Sequence, residues 1–303
     1  MVANVNREVQ PGKALGEEMR FQIAVLMLVT ACTPRTRSEA PPAQPTTPAA
    51  RPLSYTTPAP PTLTYEFADS SVSDIQAGPA GAIRVSTGMR GTAEMKFEPN
   101  GSNQKVTITF PQFSGSFSNS AGGGVVNATQ TDIRGPLILM VTQRGAVTLD
   151  SRPEVTQAFR SVAGADNEFR RLFVRLPARL VRPGATWTDS IPGEETNEGL
   201  TTRHNSVVRS TYVRDTVLAG RTLNVISSES DRTLQVTGTT QGVEIVQRLR
   251  GTSNTVTLWD PERRAIFSRT ESSQLTGTFD LPAMSMTNLP ITATGRSVQQ
   301  LRQ

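Results

Sequence analysis

Cys32 and His204 are the single thiol and the single imidazole in a chain of 303 residues. Together they narrow its chemistry. A Ser-His-Asp relay needs an imidazole held between a nucleophile and a carboxylate. His204 lies in Arg203-His204-Asn205, inside a stretch that reads as a β-strand, and is expected to be exposed there rather than to act as a base. A zinc site built on nitrogen and sulfur needs more ligands than this pair supplies, which leaves only all-oxygen sites. Asp215, Glu229, Asp231, Asp260 and Asp280 are scattered over strands and turns, without the short ligand spacing of a calcium loop. Two carboxylates would suffice for glycoside hydrolysis, but no pair stands out, and 5% aromatic residues is little for a sugar-stacking cleft. Glu194-Glu195, beside Gly193, reads as a solvated loop. Gly122-Gly123-Gly124 precedes no helix, so it is a hairpin tip rather than a phosphate cradle. No catalytic, metal or cofactor-binding residues are assigned, and the chain is expected not to be an enzyme.

Cys32 has a more informative context. Residues 21–31 are an apolar run behind Arg20 that ends on the small Ala31. A basic start, an apolar stretch and a small residue before the cut are the parts of an export signal. The run is far short of the ~20 apolar residues that cross a bilayer. Val29-Thr30-Ala31-Cys32 resembles the lipobox of bacterial lipoproteins. The resemblance implies that residues 1–31 are a signal peptide, that Cys32 is acylated, palmitate among its chains, and that it becomes the mature N-terminus. Two or more acyl chains give stable attachment where one gives marginal binding. Thr33 rather than Asp follows the cysteine, so the usual inner-membrane retention signal is missing and the outer membrane, facing the periplasm, is the expected address. The first eighteen residues are polar and include Glu8, Glu17 and Glu18; starting at Met19 gives a compact signal, so Met19 is the expected translation start.

Residues 32–61 are rich in Pro, Thr and Ala, with Pro41, Pro42, Pro45 and Pro48 closely spaced. Such a segment buries too little to offset its ordering entropy and is expected to be a disordered, polyproline-like stalk. Residues 62–303 are long enough for a β-rich extracytoplasmic domain with its own core and contain no cysteine to staple it. The net charge is +5, almost all of it from Arg: Lys13, Lys96 and Lys105 are the only lysines. A basic chain invites a nucleic-acid reading. Here the Arg residues are scattered through strands without a basic run, and export removes the chain from nucleic acid. Anionic lipids or glycans remain as partners.

The elements that would position any site are mostly strands. Lys105-Val106-Thr107-Ile108-Thr109-Phe110 alternates apolar and polar residues with period two. Similar stretches lie at 63–67, 83–86, 93–97, 137–143, 146–150, 206–218, 221–227, 233–237, 243–249, 255–259, 265–270 and 274–279. Turn residues such as Pro99-Asn100-Gly101, Ala219-Gly220 and Asp260-Pro261-Glu262 separate them. Ser151-Arg152-Pro153-Glu154 has the form of a capping box with proline just inside a helix start. Val155, Phe159 and Val162 follow at helical spacing, and Phe169 and Phe173 extend the stripe, with Gly164 splitting it into two short helices. Ile133-Arg134-Gly135-Pro136 has an echo in Leu249-Arg250-Gly251-Thr252, which suggests two similar β halves flanking the helices. The expected fold is mainly β: a curved antiparallel sheet or half-barrel of two similar halves, with one or two short helices between them. Leu176-Pro177, Leu180-Val181 and Pro183-Gly184-Ala185-Thr186-Trp187 resemble the centre of an uncharacterised family of bacterial lipoproteins, to which no activity attaches. Trp187 itself reads as a core anchor after a turn. A curved sheet covered by helices can hold an acyl chain, so the expected function is binding of a hydrophobic ligand or lipid, with Phe159, Phe169 and Phe173 as candidate lining residues. The rival is a structural or protein-interaction module that meets envelope partners from a flexible stalk.

Overall fold

Ser, Thr and Val fill alternate positions over long stretches of this chain, and β-branched residues hold the backbone extended wherever one face is covered. The computed structural model describes residues 49–302 apart from 78–80, 123, 164–171, 198 and 241. Cys32, the residues before it, the 32–48 part of the expected stalk, and Phe169 lie outside the described residues.

The strands are β1 (Thr62–Gln76), β2 (Ala82–Asn100), β3 (Asn103–Asn119), β4 (Val125–Thr129), β5 (Ile133–Arg134), β6 (Leu137–Val141), β7 (Val147–Ser151) and β8 (Glu154–Val155). The helix α1 (Gln157–Ala163) comes next. After it come β9 (Thr186–Asn197), β10 (Leu200–Leu218), β11 (Arg221–Thr240), β12 (Val243–Asp260), β13 (Ala265–Leu281) and β14 (Met286–Leu301). Twelve of the strands form one antiparallel sheet in the order β7-β6-β3-β2-β1-β14-β13-β12-β11-β10-β9, with β4 beside β3, and the sheet curls into a half-barrel. β5 and β8 make a separate two-stranded ribbon.

Several strands are longer than their apolar alternation predicts. Residues 83–86 and 93–97 fall in one strand, β2, and β11, β12 and β13 each unite two predicted segments. The joining stretches, such as Ser227-Ser228-Glu229-Ser230-Asp231-Arg232, carry serines on the inner face instead of aliphatic residues, so the hydrophobic signal lapses while pairing continues. β9 runs through Glu194-Glu195, where a loop is expected: Arg203 on β10 pairs with Glu194 at 3.1 Å, and Arg152 pairs with Glu195. Ser151-Arg152-Pro153-Glu154 does not start the helix. Ser151 ends β7, Glu154 and Val155 form β8, and α1 begins after Thr156, whose Oγ1 accepts the Phe159 N–H at 3.4 Å. Residues 172–176 carry Phe173 in irregular backbone, not in a helix. Gly135 makes a turn with φ +82°, whereas its echo Gly251 sits inside β12.

The expected stalk also ends earlier than Pro61. Leu53 and Tyr55 are 3% and 2% exposed and belong to the main core. Arg51 bridges to Val181, and the Tyr55 N–H donates to the Gln143 carbonyl at 2.9 Å. The Tyr55 ring meets Trp259 edge-on at 4.8 Å and Phe173 at 5.4 Å, contacts of about 0.5–1.5 kcal/mol each beyond area burial. The segment is proline-rich, but Leu53 and Tyr55 supply large apolar surface that joins the main core. Trp187 packs against this core while its Nε1–H donates to the Arg175 carbonyl at 2.9 Å.

The two ends of the sheet approach each other through side chains, from the residues flanking β7 to those of β9. Arg144 faces Asp189 at 3.7 Å, and Arg152 pairs with Glu195. Residues 172–181 lie along the same seam, where the Leu176 N–H donates to the Arg144 carbonyl at 3.0 Å.

Candidate functional site

Beneath α1, on the inner face of the sheet, is a partly open cavity of about 750 Å³. Its position follows from pairing register. Tyr65, Phe67 and Asp69 point inward from β1, as period-two alternation requires. They stand beside Ala93, Gly91 and Met89 of β2 on one side. On the other they meet Leu301, Gln299 and Ser297 of β14.

On β3 the inward set changes parity. Ile108 and Phe110 face the cavity, and so does Phe113. The β2–β3 register shifts between Thr92 and Glu94, where Pro111 adds a residue to β3. A bulge re-aims the side chains that follow it, and here it places two phenylalanines, three residues apart, on the same side of one strand. Phe67 sits 6.2 Å from Phe110 and 6.4 Å from Phe113, ring centre to ring centre. Phe159 of α1 adds a fourth ring, 5.0 Å from Phe113.

α1 reaches the sheet at Gly115, whose missing side chain makes room for Val162, itself 2% exposed. The helix is also tied at its start. Asp132 accepts the Thr129 N–H and the Thr156 hydroxyl, both at 2.7 Å. These two hydrogen bonds, the backbone one first, hold its carboxyl below the usual aspartate range.

A charged cluster lies where the cavity meets β13. Glu271 pairs with Arg269 on its own strand and with Arg232 of β11 at 3.5 Å; all three side chains are largely buried. Arg269 and Glu271 also line a second, smaller cavity of about 80 Å³ beside Ser228, Ser230, Ser253 and Thr255. Ser230 and Ser253 share a hydrogen bond at 2.7 Å, and Ser210 and Ser228 one at 2.8 Å. These pairs keep part of the inner face polar with their own hydroxyls matched, whereas the buried hydroxyls of Thr202 and Thr257 have no hydrogen-bond partner among the described residues.

Of the expected lining residues, Phe159 faces the large cavity. Phe173 instead packs in the main core against Tyr55 and Phe97 and borders the small cavity, not the large one. Phe169 lies outside the described residues. Phe67, Met89, Phe110 and Phe113 also line the cavity, beyond the helical stripe; the sequence signal for them is Phe110-Pro111-Gln112-Phe113, a proline between aromatics in a strand.

The scattered carboxylates have local roles. Asp260 Oδ1 accepts the Glu262 and Arg263 N–H groups at 2.9 and 3.0 Å and shapes the β12–β13 turn. Asp280 takes the Asn288 N–H and pairs with Arg248 at 3.0 Å. Asp215 accepts from Tyr212 and from Asn224, the latter at 2.7 Å, and pairs with Arg51 at 2.6 Å. Burial pushes its carboxyl up, but these three partners together bring it below the usual range. Asp231 pairs with Arg209 at 2.7 Å on the surface. His204 is half-buried and borders the small cavity, its ring against Gly193 on β9 rather than exposed. Among the described residues, no group of three or more His, Cys, Asp and Glu side chains is placed to hold a metal ion, and no helix is long and apolar enough to cross a membrane.

Compared with known proteins, the chain matches no family model and no curated protein sequence. The functional reading therefore rests on the geometry and on the sequence patterns alone.

Proposed function

We propose that this protein is a lipoprotein of the outer membrane, held by an acylated Cys32 and facing the periplasm, whose β domain binds a hydrophobic ligand or lipid and carries out no catalysis. The observation that carries the ligand reading is the cavity of about 750 Å³ between α1 and the inner face, with Phe67, Met89, Phe110, Phe113 and Phe159 on its walls. Its size lies within the few hundred to ~1,000 Å³ typical of small-molecule sites. Covering apolar surface there gains roughly 25 cal/mol per Å². The tether reading is supported by Val29-Thr30-Ala31-Cys32 and by the proline-rich stretch that follows.

Native mass spectrometry of the whole chain carrying Cys32→Ser, purified without detergent from a bacterial envelope, tests the ligand reading. The expected spectrum shows added masses that match lipids and vanish on denaturation. A clean apo mass would sink it. The same substitution tests the tether: the wild-type chain should sediment with membranes and Cys32→Ser should not. If both fractionate alike, Cys32 is not the anchor.

The second reading is a protein-interaction module on a stalk. β9 ends the strand order, and an edge strand offers backbone groups for pairing. An apo spectrum, with crosslinks from β9 to an envelope protein, would favour it.

A further inference from the structure

The cavity is not uniformly apolar: across its sheet floor the polarity changes from β6 to β13, while Arg152, Glu154 and Arg160 add charge on the side of β8 and α1. Following the strand order, Leu137 of β6, Ile108, Phe110 and Phe113 of β3, and Met89 and Met95 of β2 supply an apolar floor. β1 is the transition, with Phe67 followed by Asp69. Ser297 and Gln299 of β14 and Arg269 and Glu271 of β13 form the polar end. Register makes the sequence of residues continuous. Met89, Asp69, Ser297 and Glu271 are successive cross-strand partners, and the row continues through Thr255 and Ser228 to Ser210. At the level of this row the inner face is therefore greasy over β6, β3 and β2 and hydrogen-bonding from β14 to β10, whereas the main core with Trp259 and Phe267 lies further along the same strands. From β6 to β13 the row spans five strand spacings, about 24 Å.

Size limits what fits. An apolar cavity of about 150 Å³ accepts a benzene ring. On that scale, about 750 Å³ accommodates roughly thirty carbon-sized atoms, enough for one long acyl chain with its head group. A two-tailed phospholipid is well beyond it. Building on the ligand reading above, we infer that the cavity takes a single-chain amphiphile, its tail over β2, β3 and β6 and its oxygen-bearing head against Ser297, Gln299, Arg269 and Glu271. A free fatty acid, a monoacylglycerol and a lysophospholipid share this chemistry.

Binding of four probes to the whole chain carrying Cys32→Ser distinguishes the outcomes. The probes are palmitic acid, a one-chain lysophospholipid, the two-chain phospholipid with the same head as the latter, and a hydrocarbon of matched chain length without a head. The expected result is 1:1 binding of a one-chain lipid at least tenfold tighter than either the two-chain lipid or the hydrocarbon. Which one-chain lipid binds more tightly identifies the head. Ser297→Val should weaken the one-chain lipid by roughly three- to tenfold, the worth of one hydrogen bond, and leave the hydrocarbon unchanged. Gln299→Leu gives a second reading of the same end should Ser297→Val fold poorly. Equal binding of one-chain lipid and hydrocarbon, or variants that move both alike, would overturn the head-group assignment while leaving a hydrophobic site in place. Equal binding of the two-chain lipid would overturn the single-chain assignment. Binding of none of the probes would overturn this inference together with the ligand reading.

Discussion

Val162 of α1 lies so close over Gly115 of β3 that a β-carbon at position 115 would fall 2.4 Å from Val162 Cγ1. β3 is held on both sides at this point, by Met89 of β2 and Ala128 of β4, so the sheet has little freedom to yield. Gly115→Ala should therefore lift the helix, at the ~1–3 kcal/mol typical of an overpacked contact. Val162→Ala should cost ~1.5–3 kcal/mol for its two lost methyl groups, and the double variant should lose less than the sum of the two single variants. A double-mutant cycle in urea measures the coupling. Additive losses would mean that α1 does not rest on Gly115.

Leu53 and Tyr55 make the start of the described chain part of the core. Leu53→Ala should cost ~2–5 kcal/mol, as truncation of a buried leucine does. Tyr55→Phe keeps the ring but removes the hydroxyl that accepts the Val174 N–H at 3.0 Å, leaving a buried donor without that partner at ~1–2 kcal/mol. Chemical denaturation of the whole chain reads both. Two neutral substitutions would return residues 51–61 to the stalk.

The general architecture is legible in the sequence because half-buried strands alternate with period two, and the turn residues at 99–101, 219–220 and 260–262 mark hairpins. What is not legible is long-range. That Asp69 stands beside Ser297, and so in line with Glu271 on the next strand, depends on β1 pairing with β14, whose partners lie more than two hundred residues apart. Strands lined with serine, as in β11 and β12, carry no hydrophobic signal where their inner face is polar. The helical stripe does point to Phe159. It misplaces Phe173, because residues 172–176 leave the helix and Phe173 turns into the core against Tyr55. Proline content likewise hides Leu53 and Tyr55, since composition averages over the two residues that matter.

All three tyrosines are held neutral. Burial pushes the phenols of Tyr55 and Tyr65 far above their ordinary range, and burial followed by the hydrogen bond to Asp215 does the same for Tyr212. The unfolded chain ionises its tyrosines near pH ~10. Above that pH the unfolded state releases protons that the folded state keeps, so stability falls as pH rises. Below it, the three phenols contribute no pH dependence. In alkaline titration, phenolate absorbance should stay flat through pH ~10 and then appear in one step together with loss of the β-sheet circular dichroism signal. A smooth rise centred near ~10 with the sheet intact would show that the rings are accessible to water.

The seam between β7 and β9 should respond to salt. Arg152 stands between the two structures it joins: it borders the large cavity, and its guanidinium pairs with Glu195 of β9. The Arg152 side chain is 49% exposed and that of Glu195 9%, so the pair is screened on one side only. Half-exposed pairs contribute little, ~1 kcal/mol or less, and lose most of it at high ionic strength. Arg144 and Asp189, at 3.7 Å, add a second and weaker contact along the same line. Glu195→Gln should therefore lower the urea midpoint modestly at low salt, and the difference from wild type should shrink as salt rises to ~1 M, where the screening length is about 3 Å. Hydrogen exchange would locate the effect: faster exchange in β7 and β9 and unchanged exchange in β1 and β14, at the centre of the sheet. Equal midpoints at low salt, or faster exchange at the centre, would show that the ion pairs do not hold the seam and that residues 172–181 alone close it.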